Sequence, residues 1–481
     1  MKKLPALLVL LLLTACKGNV VTVVDERDQP IVGATVLAAN NTNQFFDTQT
    51  SQEGTFDTAD FTGNDIYATI DHPGYLSATF KIGTKNKIVL KDYKGLAAEL
   101  EGNPFFLLWC GELDMDYDSD GLTCAEEFIL GLHPYEADSD NDGIPDGNEV
   151  KIERPMALVP LGVTPLRKDV LLEIDWDDSI PESRVSDLAL FMSKSALRKA
   201  PISNPDESTG VNFIIDHGEY GGGDGSGEYE LANERRPYFY HMSAESGEVT
   251  DGYNGWGEFN GRYTWINADF GSYGIAEPFI ETYLILHEIG HNFGLDHGGE
   301  DATPCKPNYV SVMNYNPLMS LSFTYSPGDL PTLDESALDE SAGIGSGPVD
   351  WNFNYLIDKE SVVADVDGFT PVSLLQYLIT WIDLGSMEGD LGKLFADERC
   401  DVDGTIDTHR DHNDFSMIQA NLDQFLWDAM AARNPDSPYA FANSKVAPRI
   451  IYDNLQVDGI YHQFAEQAAQ QATPENVAEG E

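Results

Sequence analysis

The chain has 481 residues, 81 acidic against 28 basic, for a formal net charge of −53. An acidic excess of this size argues against a nucleic-acid partner, because phosphate contacts need clustered lysine and arginine. Apolar residues make up 42% of the chain, enough to bury proper cores, and the length allows roughly two to four domains. The surplus carboxylates suit a solvated surface in salty water, where repulsion is screened. That reading predicts activity that survives molar salt.

At the N-terminus, Lys2 and Lys3 precede an apolar run from Leu4 to Leu13. The run is too short for a comfortable membrane span and sits where a targeting segment belongs. It ends Leu13-Thr14-Ala15-Cys16, which resembles the bacterial lipobox. The resemblance implies that residues 1–16 hold a signal peptide and that Cys16 is the lipidated residue; a plain secretory signal cut nearby is the alternative. Lys17 follows rather than aspartate, which favours a lipid anchor in the outer membrane, facing periplasm or exterior. No later stretch is apolar enough to span a bilayer.

Residues 17–95 read as all-β. A β-branched run covers Val20 to Val24, a turn and strand cover Asp28 to Val36, and Ser51 to Phe56 suits a hairpin with its turn glycine. The Pro-Ile-Val-Gly-Ala-Thr-Val stretch at 30–36 and the later Gly74-Tyr75 resemble the carboxypeptidase regulatory-like β-sandwich, which implies a spacer or adhesion module.

Residues 96–155 carry two acidic loops. Asp116, Asp118, Asp120, Gly121 and Glu127 form one; Asp138, Asp140, Asp142, Gly143 and Glu149 form the other. Both place acids at loop positions 1, 3, 5 and 12 and glycine at 6, the spacing with which an EF-hand loop encircles Ca²⁺. The flanking segments are too short for full EF-hand helix pairs. The pair resembles bacterial thrombospondin type 3 repeats, which implies a linker ordered by calcium.

Residues 160–345 alternate strands and helices: strands from Val170 to Trp176, Gly210 to Asp216, Tyr238 to Met242 and Arg262 to Asn267, and a helix from Arg184 to Arg198. A further helix begins near Pro278, with Ile280, Tyr283, Leu284 and Leu286 as apolar positions. It ends in the most informative stretch of the chain, His287-Glu288-Ile-Gly-His291-Asn-Phe-Gly294-Leu-Asp-His297. Histidines four apart share a helix face and can reach one metal ion; Gly294 lets the chain reverse and return His297 as a third ligand. Glu288 stands where it can hold a metal-bound water. Three imidazoles leave a fourth zinc position open, the pattern of catalytic rather than structural zinc.

This motif, followed by Ser311-Val-Met313-Asn-Tyr315, resembles the metzincin clan of zinc metallopeptidases. The resemblance implies an α/β catalytic domain with a mixed sheet and an edge strand that pairs with substrate. It also implies Met313 in a turn beneath the imidazoles, Glu288 as general base and Tyr315 as metal ligand or oxyanion partner. The expected function is zinc-dependent hydrolysis of peptide bonds in extracellular or periplasmic proteins by a monomer. The competing reading is a calcium-ordered surface adhesin with a vestigial peptidase domain.

Residues 346–481 turn acidic again, with partial loops at Asp350–Asp358, Asp365–Gly368 and Asp401–Asp414, then read as mainly helical at 370–383, 416–433 and 455–471. With Cys16 set aside, Cys110, Cys124, Cys305 and Cys400 allow two disulfides in an exported chain. Three pairings are possible; Cys110–Cys124 with Cys305–Cys400 is favoured. A free Cys110 shielding the zinc is the alternative.

Overall fold

The structure, a computed structural model, describes residues 20–100, 110–176, 180, 184–221, 231–246, 254–268, 277–315, 323–344, 347–352, 354, 356–366, 406–422 and 449–453. The targeting segment with Cys16, the expected helices at 370–383 and 455–471, and Cys400 lie outside these residues. The fold is mixed α/β with several sheets and few helices. Its contacts divide it into two compact units, one of residues 1–117, 122–134 and 151–160, the other of 118–121, 135–150 and 161–481.

The first unit is built from seven strands: β1 (Val20–Asp25), β2 (Thr35–Ala39), β3 (Phe45–Gln49), β4 (Thr55–Asp57), β5 (Tyr67–Asp71), β6 (Ala78–Lys81) and β7 (Lys87–Leu90). They form a three-stranded sheet in the order β4-β1-β7 and an antiparallel four-stranded sheet in the order β3-β2-β5-β6. Alternation on β1 and β2 sends Val21, Val23, Val36 and Ala38 into a shared core with Ile70, Phe80 and Ile88. Gly54 closes the β4 turn with a positive φ, and a Cβ there would strike Val23 O and Pro30. Helix α1 (Tyr93–Leu100) follows the sheets. Helix α2 (Cys124–Leu130) opens on a capping box between Thr123 and Glu126, and Cys110 is disulfide-bonded to Cys124. Cys110 is thus not a free thiol.

In the second unit a short helix, α3 (Asp146–Val150), precedes β8 (Asp169–Asp175), α4 (Asp187–Arg198), β9 (Asn212–Asp216), β10 (Phe239–Glu245), β11 (Gly255–Phe259), β12 (Tyr263–Asn267) and α5 (Glu277–Asn292). The remaining elements are β13 (Leu333–Asp334), β14 (Thr408–His409), α6 (Asp414–Leu422) and β15 (Arg449–Asp453). The main sheet runs β15-β11-β12-β10-β8-β9. Its β9, β8, β10 and β12 are parallel, whereas β11 lies antiparallel to both β12 and β15.

The two faces of β8 differ. Val170, Leu172 and Ile174 join the core with Leu190 and Leu197 of α4 and Ile280, Leu284 and Ile289 of α5. The alternate positions bury charge. Arg235 bonds Glu173 at 2.6 Å and Asp216 at 2.7 Å, and His241 Nε2 lies 2.8 Å from Asp175 Oδ2. Pairing of this kind is what makes buried charge tolerable.

The helix expected from Arg184 starts at Asp187 because Ser186 is its N-cap. The described C-terminal residues contribute strands as well as α6: β14 pairs with β13, and β15 joins the main sheet. Most of the expected helical segments lie outside the described residues; of the predicted helix at 416–433, the described part is covered by α6.

Glu281 fastens α5 to the start of α4. Its carboxylate accepts from Ser186 N at 3.2 Å and from Ser186 Oγ. Burial pushes Glu281 up to about 7, against the opposing effect of these hydrogen bonds. A carboxyl whose folded pKa is raised favours folding while protonated, and that contribution is lost as pH rises from about 4.5 to about 7. Glu281→Gln keeps an acceptor for Ser186 but cannot ionise. Thermal melts across pH 5 to 8 should show the variant gaining on the wild type as pH rises, by no more than about 3 kcal/mol.

Candidate metal centre

Helix α5 carries His287 and His291 one turn apart, both fully buried, and ends in a Schellman closure: Leu295 N bonds Gly290 O and Gly294 N bonds His291 O. Gly294 takes φ +83° there, and a Cβ would collide with Asn260 and Asn421. A tight turn in which Asp296 and Gly299 exchange backbone hydrogen bonds then presents His297. Ligand nitrogens of the three histidines lie within 4.8 Å of one another. Their ring centroids stand 5.0, 5.0 and 5.4 Å apart, so the rings converge from three sides.

Each helix imidazole has its Nδ1 on a backbone carbonyl. His287 Nδ1 is 2.6 Å from Val312 O, and His291 Nδ1 is 2.7 Å from Leu295 O. A carbonyl only accepts, so Nδ1 carries the proton and Nε2 is the lone-pair nitrogen. Tetrahedral zinc with nitrogen at about 2.1 Å would set its ligand atoms about 3.4 Å apart. Three buried imidazoles, two of them with Nδ1 engaged by a carbonyl and Nε2 left for a metal, fit that ion.

Glu288 is fully buried on the same turn. Strand β11 presses on it: a Cβ at Gly255 would strike Glu288 Oε1, and one at Gly257 would meet Glu288 O and His291 Cβ. The two glycines let a strand pass within van der Waals reach of the helix. On its outer side β11 pairs with β15 from Gly255↔Asp453 to Phe259↔Arg449. Tyr315 stacks its ring 4.1 Å from that of His297 and 5.9 Å from that of His287. Met313 is fully buried beneath the helix, its Sδ filling the space a Cβ at Gly290 would need.

The segment bearing Met313 and the Val312 carbonyl is held from the C-terminal region. Asp414, fully buried at the start of α6, accepts from Tyr309 Oη at 2.8 Å, Ser311 Oγ at 2.6 Å and Ser326 N at 2.8 Å. In sequence Asp414 reads as part of a partial calcium loop; its carboxylate is instead taken up by hydroxyl and amide donors. Asp350, Asn352, Asn354 and Asp358 likewise bond among themselves. Among the described residues, no acidic trio that could hold an ion falls in this C-terminal region.

In the first acidic loop Asp116, Asp118 and Asp120 bring carboxylate oxygens within 4.8 Å of one another. That trio does not include Glu127, which is fully buried in α2. In the second loop Asp138, Asp140 and Asp142 form one trio, and Asp142, Glu149 and Asp169 form another. Asp169, at the start of β8, belongs to no loop motif and could not be picked out by spacing. Cys305 is buried; its expected bridge reaches Cys400, outside the described residues.

The chain matches no protein-family model, and no curated protein matches its sequence.

Asp414→Ala would strand three buried donors and loosen the Met313 segment. A loss of at least about 3 kcal/mol is expected, since each unsatisfied buried donor costs about 1–3 kcal/mol; it would be read as a lower melting temperature. Unchanged melting would mean that α6 does not hold this segment.

Proposed function

We propose that the chain is a zinc endopeptidase of metzincin type, exported and lipid-anchored through Cys16, with calcium ordering its acidic loops. The observation that carries this reading is the convergence of three imidazoles around one point, two of them with Nδ1 held by a backbone carbonyl, with Glu288 on the same helix turn.

His287, His291 and His297 would hold the metal. When bound, zinc lowers the pKa of a water towards neutrality and polarises a carbonyl. Glu288 accepts the proton of the attacking water as the oxygen–carbon bond forms, then delivers it to the leaving nitrogen as the carbon–nitrogen bond breaks. Burial keeps bulk water from competing for that proton. The Tyr315 hydroxyl donates to the carbonyl oxygen as it gains charge. Peptide substrates would take the edge of β11 that β15 holds in this structure, by strand pairing of the kind used in backbone recognition.

Glu288→Ala should retain one zinc per chain and lose at least about a hundredfold in turnover on a peptide library, the low end of what a general acid–base supplies. Retained turnover would remove Glu288 from the mechanism. Full calcium binding with no zinc-dependent cleavage of any peptide would favour the surface-adhesin reading instead.

The pairing of β15 with β11 places residues 449–453 along the edge that a substrate strand would use. Truncation before Arg449 should therefore raise kcat/KM for peptides. An unchanged kcat/KM, with the variant folded by thermal melt, would put the substrate on another edge.

A further inference from the structure

The second acidic loop buries more charge than its sequence motif contains. Asp138, Asp140, Asp142, Glu149 and Asp169 are each at most 5% exposed. The nearby cations are Arg167, whose charge acts on Asp169, and Lys168, whose Nζ donates to the backbone carbonyls of Asp140 and Asn141. Two cations against five carboxylates leave an excess of negative charge that a further cation would balance.

The hydrogen-bond pattern separates these groups. Asp138 accepts from the amides of Asn141 and Gly143, at 2.7 and 2.8 Å. Asp142 accepts from Ile144 N and, across the fold, from Asp169 N. No described donor reaches either oxygen of Asp140, which is 2% exposed and within 4.8 Å of its Asp138 and Asp142 partners. Among the described residues no amide, hydroxyl or ammonium reaches either oxygen of Glu149, whose near neighbours are the carboxyl groups of Asp142 and Asp169. Carboxylates gathered without donors are arranged for an ion that takes six to eight oxygens.

We propose that Asp169 is a calcium ligand, and that the ion it shares with Asp142 and Glu149 fastens the second acidic loop to β8 of the zinc-helix sheet. The proposal rests on the reading that the second loop binds calcium and adds a ligand from outside the loop. Asp169 is held for the role: Thr164 N donates to its Oδ2 at 2.9 Å and the Asn212 side chain donates to its Oδ1. Calcium thereby joins loop and β8, and removing it leaves mutually repelling carboxylates against the first strand of the sheet.

The test is calcium titration by calorimetry of the full chain after chelation and zinc repletion, with thermal melts in calcium and in chelator. The wild type should bind calcium and melt higher with it. Asp169→Asn should weaken at least one site by about tenfold or more, the loss that even an outer-shell change produces. In chelator it should melt no lower than the wild type, because it removes a repelling charge. Asp140→Asn should also lose affinity.

Wild-type affinity in Asp169→Asn beside weakened binding in Asp140→Asn would overturn the proposal and leave the loop's own calcium site standing. Equal losses of melting temperature with and without calcium would make Asp169 merely structural and also overturn it. Absence of calcium binding in the wild type would bring down the calcium reading itself.

Discussion

Two hydrogen bonds, from His287 Nδ1 to Val312 O and from His291 Nδ1 to Leu295 O, govern the histidine site. Each fixes a tautomer and the rotation of a ring that could otherwise turn about its bond to Cβ. Each acceptor is a backbone atom of the structure that closes the site. Leu295 is the residue whose amide ends the helix, and Val312 adjoins the buried methionine beneath it. The ends of the motif thus orient its own ligands, and the carbonyls do for these imidazoles what outer-shell partners do for metal-bound histidine in general.

Those carbonyls are themselves held from far along the chain. Asp414 gathers Tyr309, Ser311 and Ser326, and Tyr325 donates its hydroxyl to Leu286 O of α5 at 2.6 Å. On the other side the glycines of β11 let the sheet rest on Glu288 and His291. A helix gripped from three directions has little freedom to move its ligands, which is the preorganisation that a binding or catalytic constellation needs. The C-terminal region is accordingly tied to the histidine site through α6.

Much of this was legible in the sequence for a stated reason. Helix α5 and its closure follow from apolar spacing and a glycine whose positive φ the reversal requires. Strand β8 was legible from its apolar Val170, Leu171, Leu172 and Ile174, whereas the pairing of its buried Glu173 and Asp175 with Arg235 and His241 was not. Strand β11 was hidden, since Gly255 and Gly257 look like loop composition; what selects them is the close approach of Glu288 and His291, a tertiary fact. The roles of Asp414 and Asp169 were hidden for a related reason. An aspartate in an acidic stretch reads alike whether it faces water, caps three donors or joins a loop some 27 residues upstream, as Asp169 does through Asp142. The backbone carbonyls that orient the imidazoles carry no sequence signature.

The central claim is that three imidazoles share one ion. Zinc K-edge absorption spectroscopy of the purified full chain tests it most directly. The account predicts one zinc per chain with a first shell of three imidazole nitrogens at about 2.0–2.1 Å and one lighter oxygen ligand. A shell containing sulfur, fewer than three imidazoles, or no bound zinc would contradict it.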